Sequence, residues 1–275
     1  MSTAAAPTRA TGAARLAWAA SDTWVVARRH LARLTRRPDE LLSTILIPVM
    51  AVVMFGVVFG DALGAAMGTP DAEYRQFLMP GVFALAMAFG IGSTTIAVAS
   101  DAQDGVLDRM RTLPASPVAL LAGRALADVL TAVAELAVLV SLGAALGWEW
   151  RSSPGAVLAA LGVLLLLRLA FSWVGILLGL MVSGPEAAMK YFALVFPLAM
   201  VADTIVPTAL MPEWLAGPAA WNPLSLTTAA TRELVQGLSG PPSAADAVTL
   251  AVIWPVAVTA VCVPLALALL RRLGR

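Results

Sequence analysis

The chain is built from long apolar runs separated by shorter polar segments. Six runs stand out: Leu41–Phe59, Leu78–Ser100, Ala125–Leu146, Ala156–Val182, Tyr191–Val206 and Val248–Leu270. Most have the length a helix needs to cross a hydrocarbon core of about 30 Å. The fifth is the shortest and carries Pro197 and Asp203. The pattern predicts an all-α polytopic membrane protein with six transmembrane helices over residues 41–270.

The segments around the runs are uneven. Residues 1–12 are rich in Ala, Thr and Pro and are expected to be disordered. Ala13–Arg37 predicts an amphipathic helix: Leu16, Ala20, Trp24, Ala27, Leu31 and Leu34 recur at spacings of three and four. Arg15, Asp22, Arg29 and Arg36 fall on another face. Basic charge opposite Trp and Leu suits a helix lying on the cytoplasmic leaflet.

Between the second and third runs lies Asp101–Arg124, which reads DAQDGVLDRMRTLPASPVALLAGR. Two spans could be joined by a handful of residues, so this length asks for a purpose. Asp104 can cap a helix running to Leu113, and Pro114 stops it. Ser116-Pro117 then pairs an N-cap residue with Pro at the first helical position, predicting a second helix that continues into the third run. Val106, Leu107, Met110 and Leu113 gather near one face of the first helix, which fits docking in a partner's groove; a solvated loop is the alternative.

Composition narrows the function. Of 275 residues, 60% are hydrophobic and 13% charged, and mean hydropathy is +0.85, unlike a soluble globular domain. A net charge of +1 gives no reason to expect nucleic acid as a partner. Cys262, His30 and Lys190 are the only residues of their kinds. One Cys and one His exclude a Cys-ligated or His-pair metal site and make a membrane-embedded enzyme a poor fit. Lys190 follows Met189 and precedes Tyr191, so there is no Gly-Lys-Ser/Thr loop to cradle the phosphates of ATP. The expectation is a non-catalytic chain that binds no metal or cofactor of its own. The Arg-rich start lacks the compact apolar core and cleavage site of a secretory signal peptide.

Basic residues set the expected orientation. With the N-terminus inside, the inner segments hold fourteen Lys and Arg, and the outer ones hold only Arg75, Arg151 and Arg232. Both termini and the 101–124 element are therefore expected in the cytoplasm, with the chain in an inner or plasma membrane. Abundant Ala and Arg beside one Lys suggest a GC-rich bacterial source. On the outer side, Gly147–Gly155 predicts a tight turn. Residues 207–247 are too apolar for a free loop and too broken by Pro for a span. They predict short re-entrant helices, with Trp214 and Trp221 at interface depth.

Four charged residues fall inside the apolar runs. Glu135 and Arg168 sit near the middle of consecutive antiparallel runs, which predicts an ion pair between them. An unpaired charge there would cost about 2.5–3.5 kcal/mol. Asp128 lies nearer the inner face, within reach of Arg124. Asp203 is expected to cap the re-entrant helices or bond their backbone, with a cation site as the alternative. Gly56-x-x-x-Gly60 and Gly175-x-x-x-Gly179 permit close helix approach.

The order of these parts resembles a known family. It combines a basic amphipathic helix, two spans, a cytoplasmic Asp-Gly-Val-Leu-Asp-Arg…Thr-Leu-Pro-Ala-Ser…Gly-Arg element and four more spans. Met211-Pro212-Glu213-Trp214-Leu215, Trp221-Asn222-Pro223-Leu224 and Arg232-Glu233-Leu234 with Gly237 mark the outer segment. From Ala13 onward this is similar to the membrane (permease) subunit of type-2 ABC exporters, particularly the daunorubicin-resistance-like permeases.

The resemblance implies that Asp104–Leu113 is a coupling helix seated in a separate ATPase subunit. Asp101, Asp104, Gly105, Leu107, Arg109 and Arg111 fall on the matching positions, with Asp at 101 and 104 where relatives often carry Glu. It makes 13–37 the connecting helix and puts the outer segment, with Asp203, Trp214, Trp221, Asn222 and Arg232, at the outer end of the path. It implies a dimer, with itself or a close relative, on two ATPase copies that bind the ATP and Mg. The first and fifth spans would line the path, making Met50, Met54, Phe55, Phe59, Phe192, Phe196 and Met200 candidates for an adaptable apolar lining. The expected cargo is a hydrophobic or amphipathic drug, natural product or lipid. Export of a polysaccharide or lipid-linked glycan by the same architecture, and ion-coupled secondary transport, stay open as alternatives.

Overall fold

The computed structural model describes residues 12–35, 38–58, 60–68, 70–106, 117–237 and 244–273. These residues form helices and turns, with no strand among them. In chain order the α-helices are α1 (Gly12–Thr35), α2 (Pro38–Val53), α3 (Gly60–Met67), α4 (Asp71–Gln103), α5 (Pro117–Ala145), α6 (Pro154–Met181), α7 (Pro185–Met200), α8 (Glu213–Ala220), α9 (Pro223–Gln236) and α10 (Ala244–Leu273). A π-helical stretch, Met54–Val58, extends α2, and a 3₁₀ turn, Thr208–Leu210, precedes α8.

Four stretches are long and apolar enough to cross a membrane: Glu73–Gln103, Val118–Ala145, Pro154–Met181 and Ala247–Arg272. They match the second, third, fourth and sixth apolar runs. The first run folds as a shorter apolar helix ending in the π stretch, and its last residue, Phe59, is outside the described residues. The fifth run does not stay helical to Val206: α7 starts earlier, at Pro185, and ends at Met200. Pro197 lies in its last turn, and the chain beyond is held by other partners. Asn222 Nδ2 donates to the Val201 carbonyl at 3.0 Å, and the Asp203 amide donates to Ser225 Oγ at 2.9 Å.

The helix ends follow from local chemistry. Pro117, Pro154, Pro185 and Pro223 each occupy the first helical position, where the missing N–H costs nothing. Ser153 caps α6 by accepting from the Ala156 amide, and Asn222 caps α9 by accepting from the Leu224 amide. Gly237 closes α9 in the left-handed region, its amide donating to the Glu233 carbonyl.

α4 and α6 form the centre. Leu78, Met79, Val82, Phe83 and Met87 of α4 pack with Val52 of α2, Leu136 and Leu139 of α5, and Leu164 and Leu167 of α6. A second cluster joins Val26 of α1, Leu120 and Leu121 of α5, Trp173 and Ile176 of α6, and Ala266 and Leu270 of α10. Lipid is as apolar as these side chains, so close packing rather than water exclusion must hold such helices together. Gly175 and Gly179 supply that closeness. A Cβ on Gly179 would meet Val98 Cβ at 2.7 Å and the Thr95 carbonyl at 2.8 Å, and one on Gly175 would meet the Ile91 carbonyl at 2.9 Å. The other small-residue pair supplies no such closeness. A Cβ on Gly56 would make ordinary contact with Leu78 and Met79 of α4, at 3.4 and 3.5 Å, and one on Gly60 would meet nothing within 4 Å. Outward faces carry Val133, Val138, Leu158, Ile253, Val256 and Val261, the arrangement a lipid-facing surface requires.

α1 lies across α5, where Gly123 leaves room for Val26 and the Thr23 carbonyl. Its predicted apolar stripe is divided. Ala27 is buried against the bundle, but Ala20 and Trp24 are exposed, together with Trp18 and Val25. The bundle takes the Val26–Ala27 strip, which leaves the bulkier aromatic side free to face another medium.

Candidate functional site

The described residues bring three polar clusters together, at the α1 end of the bundle, at its middle and at its α9 end.

At the α1 end, α4 terminates at Gln103 with Asp104 as its C-cap residue. Gly105 follows at φ +65, the left-handed turn that glycine tolerates. Asp101 is buried and Asp104 is exposed. Residues 107–113 of the predicted Asp104–Leu113 helix, Leu107, Arg109 and Arg111 among them, lie outside the described residues. Beside this end, Arg124 Nε lies 3.3 Å from Asp128 Oδ1, and Thr94 Oγ1 donates to Asp128 Oδ2 at 2.7 Å. His30 of α1 sits over the same group. Burial first, and then the nearby Arg124, lower its pKa to about 4, against the opposing pull of Asp101 and Asp128.

At the middle, Arg168 Nη1 of α6 lies 3.9 Å from Glu135 Oε2 of α5, both side chains almost fully buried. The separation is electrostatic rather than a direct hydrogen bond. The guanidinium fits over Gly90 of α4, where any Cβ would overlap it. Sequence depth alone pointed to the two charges. The glycine that gives the arginine its space carried no comparable signal.

At the α9 end, Arg232 is the hub. Its Nη1 lies 3.3 Å from Asp203 Oδ2, its Nε donates to the Phe77 carbonyl at 3.0 Å, and its Nη2 donates to the Thr204 carbonyl at 3.4 Å. Its guanidinium also stacks 3.5 Å from the Phe77 ring centroid. One turn later, Gln236 Nε2 donates to the Gln76 carbonyl. The Gln76 side chain extends the set by donating to the Gly147 carbonyl and accepting from the Glu149 amide. Gly81 lets the Thr204 carbonyl lie directly on α4. Sequence reasoning grouped Asp203, Asn222 and Arg232 in one segment but missed Gln76, Phe77, Gly81 and Gln236. Pro80, which interrupts the hydrogen-bond ladder of α4, was the available signal. Trp214 and Trp221 are exposed at this end.

Of the apolar lining candidates, Met50 and Met200 are exposed, and Met54 and Phe55 are half-buried. Phe59 is outside the described residues, and Phe192 and Phe196 belong to α7. No group of three or more metal-ligating side chains occurs among the described residues.

Residues 21–235 match the family described as ABC-2 type transporter. The chain belongs to that family. A daunorubicin resistance ABC transporter permease protein from Streptomyces coeruleorubidus is 36% identical over 169 residues, covering 61% of this chain and 60% of that protein. A protein named "Probable multidrug ABC transporter permease YbhR" from Escherichia coli strain K12 is 24% identical over 171 residues, covering 60% of this chain and 45% of that protein. The chain thus aligns with less than two thirds of the length of either relative. All three clusters lie mainly within the matched residues; only Gln236 falls beyond them.

Proposed function

We propose that this chain is the membrane-spanning permease subunit of an ATP-driven exporter. The family match over residues 21–235, which spans α4, the polar 101–124 element and α5, carries the reading. Two shorter helical passes, through α2 with its π stretch and through α7, would complete six spans. Both termini would be cytoplasmic and α9 would lie at the outer face. The 101–124 element would dock on a separate ATPase present in two copies, which binds the ATP and Mg. Two permease chains, identical or closely related, would enclose the path.

Mechanistically, ATP-driven movement of the ATPases would push on 101–124. That element continues without a helical break from Pro117 through Ala145, so a push at its end moves the whole of α5. The close seam of α4 with α6 would carry the motion as a body. The apolar, Met-bearing surfaces of α2 and α7 would face the cargo, which suits a hydrophobic or amphipathic molecule. The daunorubicin-resistance name of one relative and the multidrug name of the other support a drug as cargo.

The test is co-purification of the full chain with a Walker-motif ABC ATPase subunit from the same source, followed by a measurement of ATPase stimulation. A stable complex whose ATPase rate rises with a hydrophobic drug is expected. An ATPase that neither binds nor responds to the chain overturns the reading.

A further inference from the structure

Pro80 lies inside α4 and has no N–H. The carbonyl that its N–H would have served belongs to Gln76, four residues earlier. A buried carbonyl deprived of its helical donor needs another. The Gln236 side chain supplies it. The neighbouring Phe77 carbonyl receives Arg232 Nε at 3.0 Å. Arg232 and Gln236 are four residues apart on α9, on one face, so a single helix face grips two consecutive carbonyls of α4. Directly beyond, Gly81 presents no side chain, and the Thr204 carbonyl, itself bonded by Arg232, settles there. Arg232 and Gln236 are both more than nine-tenths buried. Pro80 and Gly81 therefore shape a notch, and α9 carries the two side chains that fill it.

We propose that Arg232 and Gln236 are positioning residues that seat α9 in the Pro80–Gly81 notch, and that release of this seat is the step by which the outer end opens. The seat rests on the reading of α9 as an outer, path-closing element. The chemistry favours a seat that can open. Its polar bonds to α4 are few and directional, and α9 keeps a separate apolar contact through Ala230 with Val163 of α6 and Ala251 of α10. Asp203, on the chain leading to α8, adds charge to the Arg232 grip, so movement of α7 or α8 reaches the seat through one ion pair.

The test uses the full chain with Cys262→Ala and Val235→Cys in lipid nanodiscs with the partner ATPase, probed by N-ethylmaleimide. Val235 of α9 is buried in the cluster that holds Tyr74, Leu78 and Met79 of α4, so labelling at this position reports unseating. Arg232→Met should raise the labelling rate about tenfold, the effect of losing one or two charge-assisted hydrogen bonds. Arg232→Lys should resemble it, because an ammonium cannot bridge the Phe77 and Thr204 carbonyls while facing Asp203. Pro80→Ala guards against misfolding as the cause, since it adds a helix former. Its new N–H takes the Gln76 carbonyl, so labelling should rise as in Gln236→Ala, and the double variant should gain nothing further. During ATP turnover the parent should label faster than at rest. Labelling unchanged in Arg232→Met, additive effects of Pro80→Ala and Gln236→Ala, or no rise during turnover overturns the proposal. Raised labelling in the variants and during turnover, with drug export unchanged in the variants, would keep the seat and sink instead the reading of α9 as the closing element.

Discussion

The guanidinium of Arg168 lies over the bare Cα of Gly90, on a neighbouring helix, in space that any side chain would fill. That relationship ties three helices, because the same guanidinium faces Glu135 on α5. A methyl group at position 90 must displace either the arginine or the helix. Gly90→Ala should therefore destabilise the protein by roughly 3 kcal/mol, the scale of overpacking plus a disturbed buried pair. Unfolding in detergent, followed by tryptophan fluorescence, measures it. Gly90→Ala/Glu135→Leu/Arg168→Met should recover part of the loss, since the thioether can yield where the guanidinium cannot and no charge is left stranded.

The ion pair makes a separate prediction. Arg168→Met leaves Glu135 buried without its countercharge and should cost about 3–5 kcal/mol. Replacing both, as Glu135→Leu/Arg168→Met, should return stability to within about 2 kcal/mol of the parent. The same unfolding assay checks the pair, and a double variant no more stable than either single one would show that the two charges act independently.

Two glycines of α6 separate packing from propensity. Gly179 meets Val98 and the Thr95 carbonyl of α4, while a Cβ on Gly162 would meet nothing within 4 Å. Gly179→Ala should lower stability by about 1–3 kcal/mol, and Gly162→Ala should raise it by up to about 1 kcal/mol through helix propensity. Thermal unfolding of the purified pair would expose the contrast, and equal shifts would show that the α4–α6 seam is not closely packed.

His30 gives a pH dependence outside the membrane spans. Its folded pKa is lowered to about 4 from an ordinary 6.5. Between those values the unfolded chain binds more protons, so stability is present above pH 6.5 and declines as pH falls towards 4. The groups around it are Arg124 and Asp128 of α5, Asp101 of α4 and Arg29 of α1. His30→Gln should flatten the fall in melting temperature across that window, leaving the decline due to carboxylates. An unchanged profile would show that His30 is solvated.

How much of this was legible in the sequence depended on how local the cause was. The four long spans followed from apolar length, and the Glu135–Arg168 approach followed from equal depth in consecutive helices. The premature end of α7 was not legible, because the Asn222 and Ser225 side chains that hold its trailing backbone arrive from about twenty residues away. The Arg232 hub required knowing that α9 folds back onto the start of α4, a pairing 155 residues apart that no periodicity encodes. Gly90 was one glycine among 21, and only the position of the arginine singles it out.

The central claim is that this chain moves cargo only when a separate ATPase drives it through the 101–124 element. The most direct measurement is ATP-dependent uptake of a fluorescent hydrophobic drug by inside-out proteoliposomes holding the chain and its ATPase. Uptake should require ATP and both chains, and Leu107→Asp/Arg109→Asp should abolish it together with ATPase stimulation while the purified chain stays folded. Uptake driven by an ion gradient without the ATPase, or full ATP-driven uptake by the double variant, would contradict the account.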